Sequence, residues 1–239
     1  MIWHPTEAAQ RNEIAKMWDI FPVGQDDPIH QRAIWGKGVP GEQPVKNITF
    51  TAAAYPNVAD RQRAFEDMAL KLNKQGYNIY TCFNPVSPDF KGDECNGLAV
   101  KDVDIVCRRY VLIDIDRAET SQPATDDEID EIFKVAGKVE RDLIYSKGQE
   151  PITVCSGNGA HIYLPLEDLP NDDATKALCQ RMLKALAEKY DTKAVKVDTG
   201  VFNASRITKV PGTIARKGIE VPDDTGINER YYRMAAVVE

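Results

Sequence analysis

The sequence predicts an α+β fold: a ferredoxin-like or RNA-recognition-motif-like antiparallel sheet with helices on one face, packed beside an N-terminal α/β unit. Three observations predict it. From Tyr110 onward, segments with strand and helix periodicity follow in the order strand, helix, strand, strand, helix, strand, which is the split β-α-β arrangement. Before Asn84, helix-like and strand-like segments alternate. Between the two lies Asn84 to Asp102, rich in Pro, Gly, Asp and Asn, the best internal boundary. Residues 1–105 are thus expected to form the α/β unit and residues 106–239 the RNA-recognition-motif-like unit.

Glu7 to Asp19 reads as a helix, and Pro22 to Val45 as irregular chain. Ile48 to Ala53 reads as a strand, Ala59 to Gln75 as a helix stopped by Gly76 in the C′ position, and Tyr77 to Phe83 as a strand. In the second unit Tyr110 to Asp116 is the first strand. Thr125 to Ser146 is a helix opened by a T-x-x-E capping box, Thr125 with Glu128, and striped inward by Ile129, Ile132, Phe133, Ala136, Val139 and Leu143. Ile152 to Cys155 and His161 to Leu166 are strands joined by the turn SGNG. Asn171 to Tyr190 is a helix with Asn171 as its N-cap and Leu178, Met182, Ala185 and Leu186 inward, and Ala194 to Asp198 closes the set.

Side chains alternate across a strand, so the faces of the second sheet separate. Val111, Ile113 and Ile115 oppose Leu112, Asp114 and Asp116; Ile162, Leu164 and Leu166 oppose His161 and Tyr163; Val195 and Val197 oppose Lys196 and Asp198. With the aliphatic faces on the helices, Asp114, Asp116, His161 and Asp198 are expected together on a free face. Two carboxylates about 6.6 Å apart along an aliphatic strand need a counter-ion. Hard oxygen ligands select magnesium or manganese, and Asp198 supplies a third carboxylate for a pair of ions roughly 3.5–4 Å apart.

In SGNGAH, the backbone of Ser156, Gly157, Asn158 and Gly159 can approach an anion closely, the Ser156 hydroxyl and Asn158 amide add donors, and His161 projects just beyond. Such a loop suits a triphosphate, although Asn-Gly is also an ordinary hairpin turn. Cations come from SRITKVPGTIARK, Ser205 to Lys217, which holds no acid: Arg206 and Lys209 are placed to meet phosphate, and Arg216 and Lys217, farther on, to hold a nucleic-acid backbone. Arg108 and Arg109 precede the acidic strand and read as balancing its charge. His4 and His30 read as surface or loop residues.

The chain has 239 residues, 43% apolar and 28% charged, which excludes disorder and fibrous repeats. Its formal net charge of −7 argues against nucleic acid when taken alone, with acids crowding Asp126 to Glu131 and pairing at Asp223 and Asp224. Five cysteines, Cys82, Cys95, Cys107, Cys155 and Cys179, include no C-x-x-C pair, so no disulfide framework and no zinc cluster are expected. No apolar run approaches the roughly 20 residues of a membrane span, and the acidic N-terminal segment does not read as a signal peptide. A soluble, cytoplasmic protein with no membrane partner is expected.

These residues resemble the archaeo-eukaryotic primase superfamily, particularly the primase-polymerase domains of plasmids, phages and other mobile elements. LIDID, with Asp114 and Asp116, looks like the first motif of that family; SGNGAH, with Ser156 and His161, looks like the second; KVD, with Asp198, looks like the third. VFNASRITKVPGTIARKG, Val201 to Gly218, and YNIYTCFNPV upstream are similar to that branch, so the resemblance covers roughly Asn47 to Arg233. It implies template-directed nucleotidyl transfer, with two metals on Asp114, Asp116 and Asp198, and His161, Ser156 and Arg206 on the incoming triphosphate. The implied partners are a single-stranded or primed DNA template and dNTP or NTP, with room for a helicase domain or subunit. The zinc-binding element of many relatives is missing, and no helical bundle follows Arg233, so elongation is a safer expectation than primer initiation. The alternatives are a nucleotide cyclase or metal-dependent phosphoesterase on the same sheet, and a non-catalytic single-strand-binding module. A relaxase-type endonuclease is disfavoured because His161 has no paired histidine.

Overall fold

The computed structural model describes residues 5–90, 97–147, 150–222 and 229–238. His4, Cys95, Asp223 and Asp224 lie outside the described residues. Four α-helices are present among them: α1 (Glu7–Ile20), α2 (Val58–Lys74), α3 (Asp126–Lys147) and α4 (Asp173–Tyr190). Two main sheets are built around them.

The first sheet consists of β1 (Ile29–Trp35), β2 (Lys46–Phe50), β3 (Tyr77–Cys82) and β8 (Ile207–Lys209), in the order β2-β1-β3-β8, all antiparallel. Two of its strands were not expected. β1 lies inside the stretch that reads as irregular, because its apolar alternation is interrupted by polar residues that are themselves buried. Gln31 donates to the Phe65 carbonyl at 3.2 Å, and His30 Nδ1 meets Thr49 Oγ1 at 3.0 Å. His30 is therefore a buried strand residue, not a surface or loop one. β8 comes from beyond the last expected strand and pairs with β3 in the register Tyr80–Lys209, Thr81–Thr208 and Cys82–Ile207. The C-terminal segment thus supplies an edge of the first sheet.

The second sheet contains β4 (Cys107–Arg117), β5 (Ile152–Cys155), β6 (Ala160–Pro170), β7 (Val195–Val197) and β11 (Ala236–Val237), ordered β11-β5-β6-β4-β7. The expected strand-helix-strand-strand-helix-strand sequence is realised, with α3 and α4 on one face. Val111, Ile113, Ile115, Ile162, Leu164, Val195 and Val197 are buried in one core with Ile132, Val135, Ala136, Val139 and Leu183. A short ribbon of β9 (Ile214–Ala215) and β10 (Arg233–Met234) completes the strands.

The α3 capping box is present: Thr125 N–H donates to Glu128 Oε2 at 2.8 Å, and Glu128 N–H to Thr125 Oγ1 at 3.2 Å. The α4 start differs from expectation. Asp172 is the N-cap, accepting from Thr175 N–H at 2.8 Å, while Asn171 donates to the Asp102 and Ile105 carbonyls and ties down the loop before β4. The inward stripe of α4 is rotated as well. Cys179 and Leu183 are buried, whereas Leu178 is exposed.

The second face of this sheet is not free, contrary to the sequence expectation. Leu112, Tyr163 and His161 on that face are buried. Phe21 and Phe83 pack on the Tyr163 ring with centroids 4.9 and 6.0 Å away, and Phe21 also meets Tyr110 at 5.4 Å. The first sheet and the end of α1 cover part of this face, and what stays open becomes a cleft between two sheets. Arg108 and Arg109 do not balance the acids of β4. Arg108 is buried and donates to the Phe202 carbonyl at 2.7 Å, and Arg109 pairs with Asp168 at 2.9 Å.

Candidate active site

Three elements of the second sheet bring polar side chains to one end of the cleft. On β4, the two-residue period places Asp114 and Asp116 on the same side. On β6, His161 is the register partner of Asp114. Just after β7, Asp198 N–H donates to the Asp114 carbonyl at 2.8 Å, continuing the ladder and bringing its carboxylate alongside. The first sheet supplies the opposite wall through β1, β3 and β8. The space between, about 440 Å³, is lined by Asp114, Asp116, Ser156, Asn158 and His161 on one side and by Ile34, Trp35, Asn78, Tyr80 and Lys209 on the other.

The SGNG turn packs tightly against this end of β4. Gly157 has φ +94° and a Cβ there would stand 2.5 Å from the Ala215 methyl; a Cβ on Gly159 would stand 2.5 Å from the Ile115 carbonyl. The turn is closed by Ser156 N–H donating to the Gly159 carbonyl at 2.9 Å and by Gly159 N–H donating to Ser156 Oγ at 3.1 Å. The Asn158 carboxamide oxygen accepts from Ala124 N–H at 2.9 Å, anchoring the turn to the start of α3.

The electrostatics are dominated by the crowding of like charges. Loss of water pushes the Asp114 carboxyl up to about 7, with the charges of Asp116 and Asp198 adding to the rise against Arg206 and Lys217. His161 Nε2 stands 3.5 Å from Asp114 Oδ1, and its Nδ1 is 3.0 Å from Thr208 Oγ1. Thr208 Oγ1 is in turn hydrogen-bonded to the Tyr163 hydroxyl. Burial lowers His161 to about 4; Asp116 opposes this while Arg206 and Lys209 add to it, so the ring is neutral at pH 7. A chain in which Tyr163 donates to Thr208 and Thr208 to Nδ1 leaves Nε2–H facing Asp114.

The cations expected from the sequence gather here more closely than their spacing suggests. Arg206 Nη2 lies 3.7 Å from Asp198 Oδ2, and Asp198 Oδ1 accepts from Gly200 N–H at 2.7 Å. Lys209 is buried, with Nζ 3.1 Å from the Ile214 carbonyl and 3.4 Å from Asn78 Oδ1, and burial beside Arg216 holds its amine well below the ordinary lysine range. Lys217, expected on a template path away from the acids, stands instead with Nζ 3.5 Å from Asp116 Oδ2. Arg216 lies over the Tyr232 ring and also lines the cleft. Sequence reasoning missed the contribution of the first sheet. Asn78 and Tyr80 in YNIYTCFNPV and Thr208 in VFNASRITKVPGTIARKG have no role of their own in those motifs, and the β3–β8 pairing is what brings them to the acids.

The donor chemistry suits a hard divalent cation: three carboxylates, one of them pushed toward neutrality by burial and, secondarily, by the charges of the other two. They are not assembled into a cage. Among the described residues no group of three or more His, Cys, Asp or Glu closes on a point where a metal ion could sit. Asp116 and Asp198 are each turned to an internal cation instead.

No family model matches the chain, and no curated protein matches it. Among solved structures it is similar to the AEP domain of the cyanophage S-2L primase-polymerase, at 15% identity over 96% of this chain and 89% of that one, with a TM-score of 0.49. It is also similar to the polymerase domain of Mycobacterium tuberculosis ligase D in complex with DNA, at 15% identity over 90% of this chain and 79% of that one, with a TM-score of 0.49. Among the described residues no helix is long and apolar enough to cross a membrane.

Proposed function

We propose that this chain is a template-directed DNA primase-polymerase that joins nucleoside triphosphates to a 3′-hydroxyl, in the replication of a mobile element or virus. The observation that carries the reading is the convergence on one cleft of the β4 carboxylates, the β6 histidine and the cations of residues 206–217. Nucleotidyl transfer needs positioning and charge stabilisation, not a side-chain nucleophile. Asp114, Asp116 and Asp198 would hold divalent magnesium or manganese, which when bound lowers the pKa of a hydroxyl nucleophile and stabilises the charge leaving with pyrophosphate. No zinc is part of this reading.

Arg206, 38% exposed, is the side chain best placed to fork onto a phosphate. Lys209 presents a buried amine at the cleft wall and acts as a hydrogen-bond donor more than as a point charge. Neutral His161 offers Nε2–H beside Asp114, and at the same end the turn offers the Ser156 hydroxyl, the Ser156 and Gly159 N–H groups being used to close the turn itself. A single-stranded or primed template would enter along the open side of the cleft, with a helicase domain or subunit as a companion, and elongation is the step this site supports. A pure single-strand-binding module is disfavoured because Tyr163, the aromatic that a free sheet face would offer to a base, is fully buried.

The test is incorporation of labelled dNTP or NTP on a single-stranded template, with and without primer, in magnesium or manganese. The double variant Asp114→Ala, Asp116→Ala is expected to lose at least about 10³-fold in rate while its circular dichroism is unchanged; full activity in it overturns the assignment. Conversion of a single nucleotide without template, or hydrolysis of a phosphoester, identifies the cyclase or phosphoesterase instead.

A further inference from the structure

We infer that Lys217 is a built-in counter-ion of the aspartate pair, held on Asp116 while no divalent cation is bound and released to the phosphates of the incoming nucleotide when one is. This rests on the reading that the site takes a divalent cation. Each of the three carboxylates already has an internal partner: His161 at 3.5 Å from Asp114, Lys217 at 3.5 Å from Asp116 and Arg206 at 3.7 Å from Asp198. Lys217 is the compact ammonium among the three, on a flexible four-carbon stem. Its backbone is fixed on both sides, since Arg216 N–H donates to Asn78 Oδ1 at 2.7 Å, Asn78 Nδ2 to the Arg216 carbonyl at 2.8 Å, and Gly218 N–H to the Lys37 carbonyl at 2.8 Å. Its side chain, 23% exposed, meets Asp116 at the edge of hydrogen-bonding distance.

An ammonium on a four-carbon stem can therefore swing through the cleft without any backbone change. A divalent cation at Asp116 would repel it, and a phosphate bound in the same cleft would then offer it a negative charge. Competition for Asp116 makes Lys217 weaken the binding of metal alone, while the released charge strengthens the binding of nucleotide. The two effects have opposite signs, which a merely structural lysine would not produce.

The experiment measures Mn2+ binding by electron paramagnetic resonance for wild type, Lys217→Met and Lys217→Arg. It then measures binding of a non-hydrolysable nucleoside triphosphate by calorimetry at saturating Mn2+. Lys217→Met is expected to bind Mn2+ alone roughly tenfold tighter and the nucleotide roughly tenfold weaker, with Lys217→Arg close to wild type in both. An unchanged or weaker Mn2+ affinity in Lys217→Met, an unchanged nucleotide affinity, or a Lys217→Arg protein that also tightens Mn2+ would overturn the inference. The Asp114→Ala, Asp116→Ala protein separates the two layers. If wild type and Lys217→Met bind Mn2+ no better than it does, the metal reading falls together with the inference. If wild type binds through the aspartates and Lys217→Met is unchanged, only the inference falls.

Discussion

Asp114 carries the cost of this site. An isolated aspartate titrates near 3.8, and here burial and two neighbouring carboxylates push it up to about 7. A group whose folded-state value is raised contributes stability at pH below its unfolded value and loses that contribution as pH rises through the folded one. Asp114→Asn is therefore expected to stabilise the protein at pH 8 by about 1–3 kcal/mol, less than the full shift implies because the side chain is partly solvated. The gain should shrink on acidification and vanish by about pH 3, below the unfolded-state value, where the wild-type carboxyl is neutral in both states. Urea unfolding at the two pH values checks this, and a gain that is the same at both would remove the charge explanation. His161 answers to a different measurement. Its ring is held by Thr208, so His161→Ala is expected to raise the KM for the nucleotide roughly tenfold, and Thr208→Val to raise it severalfold by freeing the ring. An unchanged KM in both variants would move His161 out of the triphosphate site.

The helices were legible because their signals are local. The Thr125–Glu128 box reads directly from four residues, and α2 ends where Gly76 says it should. α4 shows the limit of that legibility: Asn171 and Asp172 are both good caps, and only the tertiary carbonyls of Asp102 and Ile105 decide that Asn171 is used elsewhere. β1 was hidden for a related reason, since buried His30 and Gln31 break the apolar alternation that marks a strand. The α3 cap also does more than the motif predicts. Glu128 accepts from Arg117 at the end of β4 and from Arg230 near the C-terminus, each at 2.8 Å. Burial alone would raise its carboxyl, but Arg230, the Thr125 N–H and Arg117 together hold it at about 2. Because the folded value is depressed, this stability is present above about pH 4.5 and lost as pH falls toward 2. Glu128→Gln is expected to cost about 1–2 kcal/mol at pH 7, with the gap to wild type closing at the acid end. A pH-independent difference in thermal unfolding would argue that the cap geometry alone matters.

The order of elements in the second sheet was legible, but what covers that sheet was not, because nothing local records that β8 crosses to pair with β3. That crossing changes the charge argument as well as the fold. The chain carries a net charge of −7, yet five basic side chains, Lys37, Arg206, Lys209, Arg216 and Lys217, line the cleft against two carboxylates. Four of the five come from the segment that brings β8 across. It also makes the two sheets depend on one another, since residues 1–105 contain β1, β2 and β3 but not the strand that covers the edge of β3, nor the Tyr163 ring that fills the space beside Phe21 and Phe83. A fragment of residues 1–105 is accordingly expected to be unfolded or aggregated, because an open sheet edge and bared aromatics favour association. In the intact chain, both described tryptophans, Trp18 and Trp35, belong to the first unit, whereas far-UV circular dichroism reports on every helix and strand. If the units stand or fall together, urea unfolding followed by tryptophan fluorescence and by circular dichroism gives one coincident transition. Tyr163→Ala, in the second sheet, should then shift both probes to lower urea by the same amount, corresponding to about 3–5 kcal/mol. A fluorescence transition that stays in place while the circular dichroism moves would mean that the sheets fold separately and that the cleft is held open between independent bodies.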